Sequence, residues 1–152
     1  MSDTEIKTDL KALTALTPLE LHDLFRLRID VFVVEQKCPY PEIDGQDINA
    51  LHLRLMKDNE LIAATRILPP KSPGKPVKIG RVVVSPNHRG QRLGEKVMRE
   101  SIDACHSNFP GTDIFISAQS HLKSFYNSLG FQKTSDEYVE DGIAHIDMVL
   151  AG

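Results

Sequence analysis

The sequence of 152 residues predicts a mixed α/β fold, a central mixed and twisted sheet flanked by helices. Two observations carry that expectation. Pairs of apolar runs at residues 51–68 and 131–150 are each joined by a short polar turn and read as hairpins, which gives antiparallel strands at both ends of the chain. Between them an amphipathic helical stretch is enclosed by two short apolar runs, 77–84 and 114–118, and this order implies a parallel crossover. The hairpins speak against a doubly wound sheet. A composition with 41% hydrophobic and 26% charged residues is that of a globular chain and excludes disordered and fibrous classes. The length suits a single domain over residues 1–152, which would bury roughly 70% of its unfolded surface without help from disulfides or structural metal.

The elements follow in order. Residues 5–13 suggest an edge strand. Thr17-Pro18-Leu19-Glu20 combines an N-cap, a first-turn proline and a capping-box glutamate, and opens a helix of roughly 15 residues along Leu21, Leu24, Phe25, Arg28 and Phe32. The β-branched Val31, Val33 and Val34 leave its end open. Residues 35–47, with two prolines and Asp44-Gly45, read as a loop. Strands at 51–56 and 61–68 form the first hairpin, and a proline-rich excursion (69–76) leads into the strand 77–84, whose final valines suggest burial on both faces. A helix from about Arg92 to His106 keeps Leu93, Val97, Met98, Ile102 and Cys105 on one face. A strand at 114–118, a short helix at 121–129 stopped by Gly130, and the second hairpin around Glu140-Asp141-Gly142 complete the chain.

Several function classes are disfavoured. The net charge is -3, whereas general phosphate-backbone binding calls for a basic domain, so no nucleic-acid partner is expected. No apolar run reaches the ~18 residues of a membrane span, and residues 1–13 lack a signal-peptide core; a cytoplasmic protein is expected. Cys38 and Cys105, 67 positions apart, read as reduced and buried thiols. Cys38, His52, Cys105 and His145 show no metal-ligand spacing, so no metal is expected.

The stretch Val82-Val-Val-Ser-Pro-Asn-His-Arg-Gly-Gln-Arg-Leu-Gly94 is where chemistry concentrates. A strand ends, a glycine-containing turn follows, and a helix begins; helix N-termini present unpaired N–H groups and the positive end of a dipole to an anion. Gly90 and Gly94 permit close backbone approach, and His88, Arg89, Arg92, Lys96 and Arg99 gather positive charge in an acidic chain. A phosphate group is the natural guest, although two glycines beside a helix also suit a plain turn. Neither G-x-x-x-x-G-K-[ST] nor G-x-G-x-x-G is present, which disfavours P-loop and dinucleotide folds.

This stretch resembles the acetyl-CoA loop of the GNAT N-acetyltransferase superfamily, and Phe125-Tyr-Asn-Ser-Leu-Gly-Phe131 resembles that superfamily's second signature. Val31–Tyr40, Ile43-Asp-Gly45 and Glu140–Met148 look like its ElaA-type branch. One departure stands out: Arg92 occupies the position of the middle glycine, where its guanidinium could pair with a phosphate oxygen. Gln119 and Leu122 stand where many members have Asn and Ala.

The resemblance implies a GNAT fold and direct transfer of acetyl from acetyl-CoA to an amine, either a small cationic amine or a protein amine, with no covalent enzyme intermediate. It implies cofactor contacts from Arg89, Gly90, Gln91, Arg92, Leu93 and Gly94 to the pyrophosphate, and from the backbone of Val82, Val83 and Val84 to the pantetheine arm and the oxyanion. Tyr126 is the implied proton donor to the CoA thiolate, although at i+4 from Leu122 it equally suits a core aromatic. The base is open among Glu35, His145 and His52; His52 is preferred because the second strand commonly lines the acceptor side of this fold. Glu35, Glu42, Asp44 and Asp47 form an acidic loop that could attract a cationic acceptor, with Glu35, Asp44 and His145 as candidate acceptor contacts. Superfamily members often dimerise, so a homodimer is possible. A catalytically weak acyl-CoA-binding sensor is the competing reading.

Overall fold

A computed structural model describes residues 5–152 of the chain. Residues 1–4 of the segment expected to lack a leader lie outside that range. The elements run β1 (Lys7–Ala12), α1 (Pro18–Ile29), β2 (Leu51–Lys57), β3 (Glu60–Leu68), β4 (Val77–Val84), α2 (Leu93–Asn108), β5 (Ile114–Gln119), α3 (Lys123–Ser128), β6 (Gln132–Lys133), β7 (Tyr138–Glu140) and β8 (Ile143–Leu150). β1 to β4 are antiparallel neighbours, β4 and β5 run parallel, and β8 returns antiparallel to β5 with β6 and β7 along its outer edge. The architecture is the mixed sheet the sequence predicts. Among the described residues no helix is long and apolar enough to cross a membrane.

Side chains alternate across a strand, so neighbouring residues serve opposite layers. Leu53, Leu55 and Ala63 meet Leu93 and Val97 of α2, and Ile114, Ile116 and Met148 meet Met98, Cys105, Tyr126 and Phe131. Phe131 is fully buried, and truncation of such a ring costs about 3–5 kcal/mol. On the other face, Ala64 and Val83 lie under α1 through Leu24 and Val31. Gly130, at φ +102°, ends α3 in the left-handed conformation that glycine tolerates.

Three local features depart from the sequence reading. The capping box of α1 forms as expected, with Glu20 N–H donating to Thr17 Oγ1 at 3.1 Å and Thr17 N–H to Glu20 Oε1 at 2.9 Å. The helix does not fray at its valines, however; it widens into a π-helical turn over Asp30–Glu35, so Glu35 belongs to that turn and not to the loop. β-branched side chains crowd a regular α-turn, and the wider turn keeps Val31 in the core. The last hairpin is likewise broken, its first arm split into the short β6 and β7.

The third feature shapes the site. Between the pairs Ala64–Val83 and Arg66–Gly80, β4 carries one extra residue, and Arg81 sits at φ +50°. This bulge sharpens the local twist. β4 and β5 are paired only at Val77–Ile114 and Lys78–Phe115, and then diverge. Val82 and Val84 are therefore half-buried, not buried on both faces as expected.

Candidate active site

The divergence of β4 from β5 opens a V-shaped cleft of about 1100 Å³. One wall is β4 with the turn into α2, and the other is β5 with the start of α3. α1's π-turn, the 36–46 loop and the β7–β8 turn close over it through Glu35, Tyr40, Gln46 and Asp141. Beyond Lys78 the β5-facing edge of β4 has no partner strand, so its amides and carbonyls are available to a ligand that has amides of its own.

At the upper end Gly90 (φ +83°) and Arg92 (φ +58°) turn the chain into α2. Arg92 is the N-cap but its side chain makes no capping hydrogen bond, which leaves the first N–H groups of α2 open. The left-handed backbone explains why glycine is favoured at this position; an arginine there carries a strain of about 1–2 kcal/mol. Leu93 contributes only its backbone, since its side chain is core, and Gln91 is exposed outside the cleft lining. The gathering of basic residues is mostly neutralised locally. Arg89 forms a bidentate pair with Glu35, both contacts 2.6 Å, across the cleft mouth. Lys96 pairs with Glu100, Arg99 with Glu95, and His88 lies 3.8 Å from Glu60. Among the described residues Arg92 alone of the five has no carboxylate partner. The open helix start, the free guanidinium and the unpartnered strand edge together fit a phosphorylated cofactor with an amide-bearing arm.

Tyr126 reaches the cleft from α3. Its ring is 7% exposed and held edge-on by Phe125 at 5.0 Å and Phe131 at 6.1 Å. Burial pushes its phenol up to about 12, so it holds its proton throughout the neutral range. The Cys105 thiol of the same core is also pushed up to about 12 by burial. A thiolate formed in so dry a setting gains basicity in the same way, so the phenol and a sulfur beside it stay matched.

The acidic loop differs from the expectation that its carboxylates await a cation. Glu42 accepts from Arg28 Nε at 2.6 Å and from Arg81 Nε at 2.9 Å. Asp44 accepts from Arg66 at 2.9 Å and Arg81 at 3.3 Å, and Asp47 from Arg28 at 2.7 Å and Arg66 at 3.4 Å. Burial pushes the Asp44 and Asp47 carboxyls up, but the guanidinium hydrogen bonds outweigh it and hold both below the usual range. Arg28 is 1% exposed. The three arginines come from α1, β3 and β4 and staple the loop to the sheet.

His52 lies beneath that staple, 0% exposed and outside the cleft lining. A carbonyl only accepts, so Nε2–H donates to Asp47 O at 3.1 Å, and burial holds the imidazole below its ordinary range. Its burial puts it out of reach of a substrate. His145 is differently placed. It lines the cleft, its Nδ1–H donates to Ile143 O at 2.7 Å, and its ring stacks on Tyr138. In the neutral ring that hydrogen bond keeps the proton on Nδ1 and leaves the lone pair on Nε2, which lies 3.7 Å from Glu140 Oε2. The Tyr138 hydroxyl in turn bonds Ser117 and donates to Asp147 Oδ1 at 2.6 Å. Sequence reasoning missed Tyr138 and Ser117; only the register of β5, β7 and β8 brings them together.

Cys105 is buried as expected, but Cys38 is half-exposed on the cleft and donates to Asp141 O at 3.1 Å. Among the described residues no group of three or more ligating side chains is placed to hold a metal.

Comparison with known proteins accounts for this arrangement. The acetyltransferase (GNAT) domain family matches residues 21–151. Protein ElaA of Escherichia coli K12 is 43% identical over 131 residues, 85% of this chain and 86% of its own. A crystal structure of an acyl-CoA N-acyltransferase from Pseudomonas aeruginosa superposes with a TM-score of 0.92 at 41% identity, covering 97% of this chain and all of that one. The crystal structure of Escherichia coli ElaA gives 0.90 at 38% identity, covering 96% and 99%. The acyl-homoserine lactone synthase LasI shares the fold alone, with a TM-score of 0.81 at 13% identity. By sequence and by architecture the chain belongs to the GNAT acyltransferase superfamily, on its ElaA-like branch.

Proposed function

We propose that this GNAT protein is an N-acetyltransferase that uses acetyl-CoA to acetylate an amine directly, with Tyr126 as acid and His145, in preference to His52, as base. The observation that carries the reading is that one cleft holds both a desolvated, protonated phenol and an imidazole whose lone pair is fixed by a backbone carbonyl. Acetyl-CoA supplies the acetyl group as a thioester. Arg92 and the first N–H groups of α2 hold its phosphates, and the open edge of β4 aligns its amide-bearing arm. Arg89 serves the same end once Glu35 releases it. His145 Nε2 takes one proton from the acceptor ammonium, which frees the nitrogen lone pair to form the C–N bond. Backbone N–H groups on the β5-facing edge of β4, such as that of Val84, stabilise the charge that grows on the carbonyl oxygen. Tyr126 gives its proton to the sulfur as the C–S bond breaks, and the second proton leaving the nitrogen returns through water to the phenol.

The test is release of free CoA from acetyl-CoA in the presence of a broad pool of amines, run beside the thermal stabilisation given by CoA alone. Turnover that depends on the amine is the expected result. Stabilisation by CoA with no turnover across the pool would overturn the enzyme reading in favour of an acyl-CoA sensor.

A further inference from the structure

We infer that the acceptor carries a carboxylate several bonds away from its reacting amine, and that Lys78 is the counter-charge for it. The inference rests on the N-acetyltransferase reading and names its acceptor class.

The charges around the cleft lead there. The loop carboxylates Glu42, Asp44 and Asp47 and the guanidiniums of Arg28, Arg66 and Arg81 neutralise one another, so the acidic loop offers no attraction to a plain cation. Lys78 has no such match. It is the last residue of β4 still paired with β5 and therefore sits at the foot of the V. Its neighbours across the two ladders are Leu68 and Phe115, both apolar. The ammonium lies over the Phe115 ring, 5.2 Å from its centroid, and among the described residues no carboxylate is within 4 Å of it. A half-buried cation on an apolar floor keeps much of its field, because little water is there to screen it.

Register sets the length of the ligand. Lys78 opposes Phe115, and His145 opposes Gln119 on the same sheet face. Four residues of strand separate those positions, about 13 Å at the usual rise per residue. The Lys78 ammonium stays over Phe115 at its own end of that span, so a molecule that meets both Lys78 and His145 needs an extended chain. The His145 end is the acidic one, with Glu140 beside the imidazole and Asp141 next to it. The cleft is thus polarised along its length to match an ammonium at one end and a carboxylate at the other.

The probes are ω-amino carboxylates of increasing chain length, each measured against the carboxamide of the same length. For each pair the kcat/KM ratio in the wild type is divided by that in Lys78→Met, which cancels any difference in amine basicity. Methionine keeps an apolar stem on Phe115, and melting and CoA binding confirm that the variant is folded. We expect this quotient to reach about tenfold or more for the longer members, through KM with kcat little changed, and Lys78→Arg to retain it. A quotient of one at every length, with turnover of both partners, overturns the role of Lys78 and leaves the acetyltransferase reading standing. Absence of CoA release with every member of both series, and with the broad amine pool, overturns both.

Discussion

The 36–50 loop and the turn from β4 into α2 are both densely charged, yet they use charge in opposite ways. In the loop each of Glu42, Asp44 and Asp47 is claimed by two arginines, and the result is a rigid wall. In the turn the side-chain charges are mostly spent on local carboxylates, while the backbone N–H groups at the start of α2 and the Arg92 guanidinium stay free. Density of charge therefore says little about its availability. What decides is whether a partner of opposite sign lies within reach in the fold.

Removal of Arg28 gives the sharpest contrast between the two regions. Arg28→Met leaves Glu42 and Asp47 buried with a partner missing, and loss of one member of a buried ionic group costs about 3–5 kcal/mol. Melting should fall by about 6–20 °C, at 2–4 °C per kcal/mol for a chain of this size, while the CoA affinity of the folded protein stays unchanged. Tyr126→Phe should do the reverse, lowering kcat by about a hundredfold with CoA affinity and melting nearly unaltered. An unchanged kcat would remove Tyr126 from the chemistry.

Acid should separate the regions more gently. Asp44 and Asp47 titrate below their unfolded value of about 3.9, so their contribution to stability is complete above that pH and is lost as the pH falls through their lower folded values. Denaturant unfolding followed from pH 5 to pH 2 should show that loss, and Arg28→Met should flatten it. The smallest effect belongs to Glu35→Gln. It releases Arg89 from an exposed, salt-screened pair, so CoA should bind about two- to fivefold more tightly at low salt and less so as salt rises. Weaker binding would mean that Glu35 positions Arg89 and does not compete for it.

Those same contrasts mark what was readable along the chain. The capping box of α1, the amphipathic face of α2 and the turn at Gly130 are local patterns, and the structure carries each where the sequence predicts it. The bulge at Arg81 and the splay of β4 from β5 arise from ladder register, which no short window contains. The ionic staple joins residues 14 to 39 positions apart, so its carboxylates look solvent-facing in the sequence. His52 and His145 show the same limit. Both are lone histidines on strands, and only the loop folded over the first distinguishes a sealed imidazole from an accessible one.

The two residue pairs that join β4 to β5 have a mechanical consequence. Along this seam the sheet is two panels tacked together at one end, with the stitches above Lys78 left undone. A ligand that hydrogen-bonds along the open edge of β4 closes part of that seam, and so belongs to the load path of the sheet as well as to its chemistry. Stiffness across the seam is then lent by the guest and withdrawn when it departs.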